Sequence, residues 1–293
     1  MLTTSTNRLT PLAWHGWRID LPERWSPVKL DGDAARGMIL LADLHRPRLG
    51  VRWNTLKASA DVAAAVDRAM RDEVGELAAK EAVTFLPPGE NWTSGKLYIE
   101  PNPPGRDVWI GFSRVTRRMF QIVHHAKHRD RALVDQLLPT LTDDEDGYWS
   151  IFDLSCHVPA GARLTKQRLN VGDLSLEFKH GPHVMAIRQI AVASVAIQRQ
   201  PIERWLVSQQ SARKQFYRPI ENVGPATYTG RDAIGRTLVR RRRHFLLRYK
   251  PRTIFGVAMR DEHTDRLIIA ESSDKLALLK LLNSIGWTEH KNP

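Results

Sequence analysis

A stretch of four acids and a glycine, Thr142-Asp143-Asp144-Glu145-Asp146-Gly147-Tyr148-Trp149, sits at the midpoint of a 293-residue chain. The landmarks before it recur after it in the same order. In the first half, Trp17–Pro22 alternates apolar and polar residues and stops at proline, the pattern of a half-buried strand. Gly37–Asp43 and Arg48–Asn54 predict two more strands, with Leu49, Val51 and Trp53 on one face. The period then changes. Asp61 starts a helix whose buried stripe is Val62, Ala65, Val66, Ala69, Met70 and Val74, and Gly75 ends it. Strands return at Thr93–Ile99, Asp107–Arg114 and Met119–His125, and Arg131–Leu141 predicts a closing helix.

The second half offers a counterpart for each element. Ile151–Pro159 corresponds to Trp17–Pro22, Gly172–Phe178 to Gly37–Asp43, and His183–Ile190 to Leu49–Trp53. A helix over Pro201–Gln215 carries Ile202, Trp205, Leu206 and Gln209 inward. Tyr228–Arg231 resembles Trp92–Lys96, strands follow at Thr237–Tyr249 and Thr253–Arg260, and Asp274–Ile285 is the last helix. The duplication predicts two tandem α+β domains, residues 14–142 and 149–287, joined by an acidic linker at 143–148. Each is expected to be an antiparallel β-sheet flanked by helices, in the order β-β-β-α-β-β-β-α.

Those aromatic opening strands, each followed by a hairpin, a helix, a three-stranded meander and a second helix, resemble the PsbP-like fold. That fold is shared by the lumenal photosystem II subunit P and an import factor that binds the small GTPase Ran. The resemblance implies a sheet between helices and a binding or assembly role without catalysis. It transfers no ligand or contact residue, because its motif, Trp17-Arg-Ile-Asp-Leu-Pro22-Glu-Arg-Trp25, names none.

Composition narrows the partners. The net charge of +12 favours anionic ones, whether acidic proteins or nucleic acid. The N-terminal residues lack the apolar run of a signal peptide, and no window reaches the roughly 18 apolar residues of a membrane span. With its single cysteine, Cys156, the chain is expected to be cytoplasmic.

No catalytic motif is present: there is no nucleophile elbow, phosphate-binding glycine loop or dinucleotide fingerprint. No cofactor is expected and the protein is not expected to be an enzyme. His124, His125 and His128 offer imidazoles for a metal, but strand alternation would separate them. Asp261-Glu262-His263-Thr264-Asp265 offers acid–base groups, or simply a hairpin tip. Cys156 has the pattern of a small buried side chain. The densest cationic run is Arg240, Arg241, Arg242 and Arg243, and Arg114, Arg117 and Arg118 occupy the comparable place in the first half. These seven arginines are the expected contacts for a protein partner or, alternatively, for a nucleic-acid backbone.

Overall fold

The computed structural model describes residues 8–102, 104–126, 132–144, 146–211, 213, 215–220, 222–228, 231–240 and 253–287. The chain divides into two compact units, Met1–Asp146 with Ser150–Phe152, and Gly147–Trp149 with Asp153–Pro293.

The first unit opens with β1 (Leu9–Trp14) and β2 (Trp17–Pro22), joined by His15-Gly16. Both turn residues have positive φ, 51° and 83°, as a tight two-residue hairpin turn requires. Next come β3 (Ser26–Gly32), β4 (Arg36–Ala42), β5 (Pro47–Thr55), α1 (Val62–Val74) and α2 (Glu76–Glu81). Then follow β6 (Val83–Thr84), β7 (Trp92–Tyr98), β8 (Gly105–Ser113), β9 (Arg118–Ala126) and β10 (Thr142–Asp143). Strands β3 to β9 form one antiparallel sheet in the order β3-β4-β5-β9-β8-β7-β6. Helix α1 starts at Asp61, whose carboxylate accepts from the Ala64 N–H at 3.0 Å, and stops at Gly75. Its Val66 and Met70 cover Val108, Ile110 and Phe112 of β8.

The opposite face of that sheet carries Ile39, Leu41, Leu49, Val51, Trp53, Trp109, Phe120 and Ile122, all fully buried. Its cover is the β1–β2 hairpin: the Trp17 ring lies 5.5 Å from Trp53 and 6.0 Å from Phe120. Each such apolar side chain removed from water contributes about 1.5–3 kcal/mol.

At the division between the units lies β11 (Tyr148–Ile151). The second unit continues with β12 (Leu154–His157), β13 (Arg163–Asn170), β14 (Asp173–His180), β15 (His183–Ala191), α3 (Ala193–Arg199) and α4 (Ile202–Ser211). The rest is β16 (Tyr217–Pro219), β17 (Gly224–Tyr228), β18 (Arg231–Arg240), β19 (Thr253–Asp261), β20 (Arg266–Ser272), α5 (Lys275–Asn283) and β21 (Gly286–Trp287). Its sheet runs β13-β14-β15-β20-β19-β18-β16, with β17 also on β18, while β12 pairs with β21. Leu206 of α4 and Ala193 of α3 pack on Ile190, Ala258, Leu267 and Ile269.

The architecture corrects the expected fold class. The described residues are 50% strand and 22% helix, gathered in large antiparallel sheets with few helices, and do not form a repeated α+β fold with flanking helices. The reasons are local. The predicted helix over 131–141 is a π-helical turn, Leu133–Leu137, followed by a 3-10 turn, Leu138–Thr140. Pro139 has no N–H to donate and stops a regular ladder there. The face expected beneath that helix is instead shared with the β1–β2 hairpin, so strands do much of the covering. Edge strands β3 and β13 also add to the sheet content. Both are mostly exposed and lack an alternating apolar pattern, which is why the sequence does not announce them.

Candidate functional site

Of the seven arginines, the side-chain surroundings of Arg114, Arg117 and Arg118 are among those described. In the turn between β8 and β9, Arg114 is exposed and pairs with Glu90 at 3.4 Å. Arg117 has a positive φ of 58°, donates from Nη2 to the Lys57 carbonyl at 2.6 Å and lies over the Phe112 ring. Arg118 is the first residue of β9 and is 1% exposed. Its guanidinium donates to the Asp143 carboxylate, the His15 carbonyl at 2.6 Å and the Thr116 hydroxyl at 3.0 Å. A side chain so enclosed is not available to a partner. Arg240 ends β18, where its backbone faces Tyr217, and Arg241, Arg242 and Arg243 lie outside the described residues.

Asp143 accordingly departs from the solvated acid expected of a linker. It lies in β10, is fully buried, and also accepts from Thr116. Burial holds its carboxyl above the usual value, with the Arg118 charge and the Thr116 and Ser113 hydroxyls pulling the other way.

His124 and His125 alternate along β9 and so face opposite sides of the strand. His124 is buried, stacks on Trp25 with ring centroids 5.9 Å apart, and sits 3.5 Å from the Asp107 carboxylate. His125 faces the other side of β9, and His128 lies outside the described residues. No cluster of three or more His, Cys, Asp or Glu able to hold a metal occurs among the described residues. Cys156 is buried in β12, and burial pushes its thiol up to about 12. Asp265 is structural: its carboxylate accepts from the N–H and hydroxyl of Ser194 at 2.8 and 2.7 Å, fixing the start of α3, and from Arg260 at 3.1 Å.

A different group of cations is brought together on the α1 face of the first sheet. Arg52 on β5 lies directly beside Gln121 on β9, and Arg106 on β8 beside His125. One carboxylate serves them. Glu73, in the last turn of α1, accepts from Arg106 at 3.3 Å and from Gln121, and sits 3.8 Å from Arg52. The two guanidinium side chains are about half exposed or more, whereas Glu73 is 16% exposed. His125 lies next in the row. Its pKa is lowered, first by burial, then by the charge of Arg106, with His124 and Arg46 acting the same way and Glu73 opposing. Three cationic or potentially cationic side chains therefore surround one carboxylate on rigid strands. Sequence reasoning missed this group, though the signal exists: with Leu49, Val51 and Trp53 facing the core, Arg52 must face the other way.

The second unit ties its helix to the sheet with comparable ion pairs. Arg213, just beyond α4, donates to Glu271 at 3.0 Å and approaches Glu177 at 3.7 Å. Arg188 donates to Asp173 at 2.7 Å and packs 5.4 Å from the Trp205 ring. Burial raises the Asp173 carboxyl, but hydrogen bonds and charge from Arg188 and Arg168 outweigh it, and the net direction is down. Asp173, like Glu73, serves two guanidinium groups, those of Arg188 and Arg168.

No family model matches the chain, and no curated protein matches it. Among solved structures, the crystal structure of MucB in complex with MucA(peri) matches with a TM-score of 0.21 and 9% identity, covering 92% of this chain and 82% of that one. At that score the likeness carries no argument about fold or function. No helix among the described residues is long and apolar enough to cross a membrane.

Proposed function

We propose that this is a non-catalytic binding or assembly protein that engages an acidic protein partner through the Arg52–Arg106–Gln121–His125 row. The carrying observation is the shared carboxylate: the side chains of Arg52, Arg106 and Gln121 all converge on Glu73. Two guanidinium groups and an amide around one carboxylate match the donor geometry that recognises carboxylates in general. Glu73 is weakly placed to keep that role. It sits at the C-terminal end of α1, where the helix dipole disfavours a negative charge. An incoming carboxylate would meet preorganised donors whose guanidinium groups are half exposed or more, and pairs made by such exposed arginines are worth about 0–1 kcal/mol each. The chain's net charge of +12 would steer such a partner toward it.

The test is binding of a fluorescent ten-residue polyglutamate peptide at low ionic strength. The expected result is salt-sensitive binding that weakens at least about tenfold, or ~1.4 kcal/mol, in an Arg52→Glu/Arg106→Glu chain. Glu73→Gln should strengthen it, because the competing carboxylate is gone. Equal binding by the wild type and the charge-reversed chain would reject the assignment. A preference for single-stranded DNA over polyglutamate that survives the reversal would move the function to a nucleic-acid contact elsewhere.

A further inference from the structure

The second sheet ends on β13, and among the described residues nothing pairs with the outer edge of that strand. An open edge is a row of backbone donors and acceptors able to take another strand. β13 is eight residues long and mostly exposed. Its two faces differ in kind. Leu164, Gln167 and Leu169 lie opposite Phe178, Leu176 and Leu174, the buried side chains of β14. Arg163, Lys166 and Arg168 lie on the other face, opposite Lys179, Glu177 and Ser175. Lys166 and Arg168 are 77% and 54% exposed even though each approaches an acid of β14. The strand contains no acidic residue and no proline.

The corresponding edge of the first sheet is poorly suited to the same task. β3 carries Pro27, which cannot donate, and sets Lys29 beside Asp31 with no single sign of charge. β13 also resists pairing with itself. Two antiparallel copies that kept their apolar faces on one side would set Lys166 or Arg168 against a like charge, and like charges directly opposite are destabilising. The edge therefore disfavours a copy of this chain and suits a strand of opposite charge.

We infer that β13 is a docking edge for an extended acidic peptide segment, one that alternates apolar and acidic residues and adds to the sheet as a further strand. Its apolar side chains continue the layer over Leu164 and Leu169. Its carboxylates meet Arg163, Lys166 and Arg168. Thr165, at the bulge between Leu164 and Lys166, donates its hydroxyl to the Glu177 carbonyl at 3.0 Å, so the regular docking register begins at Lys166. This surface is separate from the Arg52–Arg106 row and stands or falls without it.

The probe is a labelled eight-residue peptide alternating valine and glutamate, tested by fluorescence anisotropy on the full chain. Binding should weaken at least tenfold in Lys166→Glu/Arg168→Glu and persist in Arg52→Glu/Arg106→Glu. The same peptide N-methylated at alternate residues, with every side chain kept, should also lose at least tenfold, because it can no longer pair as a strand. Amide exchange at Lys166–Asn170 should slow when the unmodified peptide is bound. The inference is overturned if the peptide does not bind, if the methylated peptide binds equally well, or if reversal at Lys166 and Arg168 has no effect. Loss confined to the Arg52→Glu/Arg106→Glu chain would overturn it too, by assigning the peptide to the other surface. Circular dichroism on each variant checks that the fold is kept.

Discussion

Asp143→Ala should destabilise the first unit by about 3–5 kcal/mol, the cost of leaving a buried guanidinium without its counter-charge. Arg118 is 1% exposed and Asp143 fully buried, so water cannot replace the lost carboxylate. The loss propagates because Arg118 also holds the His15 carbonyl at the β1–β2 turn and the Thr116 hydroxyl in the β8–β9 turn. Thr142 and Asp143 meanwhile pair with Arg18 and Trp17 of β2. One ion pair thereby fastens the hairpin to the sheet it covers. Urea denaturation of wild type and variant measures the effect. Arg118→Met combined with Asp143→Leu should recover most of the loss, since apolar replacement of both partners removes the uncompensated charge. A solvated linker acid would behave differently: its removal would change stability by less than about 0.5 kcal/mol. That smaller result would refute the buried pairing.

The second large effect is a loss of stability in mild acid that runs through His15. This residue is 8% exposed, with its ring 5.3 Å from Trp14 and 6.2 Å from Trp53. Its pKa is lowered from 6.5 to about 4, first by burial and then by the Arg118 charge, with Asp33 opposing. The unfolded chain therefore binds more protons than the folded one between pH 6.5 and about 4. Stability rises with pH across that window, and the His15 contribution is fully present above it. Descending through the window should cost about 3 kcal/mol from this residue alone, at 1.36 kcal/mol per pKa unit. His15→Asn keeps a residue that tolerates positive φ at the turn but cannot titrate. The gap in unfolding free energy between pH 7 and pH 4.5 should therefore be smaller in the variant than in the wild type. Identical pH profiles for the two proteins would show that His15 does not carry the effect.

Both effects arise at contacts that no local pattern announces. Strand alternation at Leu49, Val51 and Trp53, the Asp61 start of α1 and its Gly75 stop were all readable, because each depends on a period or a turn chemistry local in sequence. Arg118 is 25 residues from Asp143 and 103 from His15, and no local pattern links them. Asp143 looked like its acidic neighbours; only its place in β10 takes it out of water. The predicted helix over 131–141 failed for a readable reason, Pro139, whose effect the leucine spacing masked. At the candidate site, alternation could have placed Arg52 opposite the core, but not beside Arg106 and Glu73. That meeting depends on β5 pairing with β9 rather than with its successor in sequence.

The binding role proposed for the α1 face is tested most directly by the titration of His125, observed by NMR through its imidazole protons. With the polyglutamate peptide bound, added negative charge beside Arg106 should raise the His125 pKa from its lowered value. The rise should vanish in Arg52→Glu/Arg106→Glu. A peptide that saturates the protein while the His125 titration stays where it was would place the binding elsewhere and contradict the account.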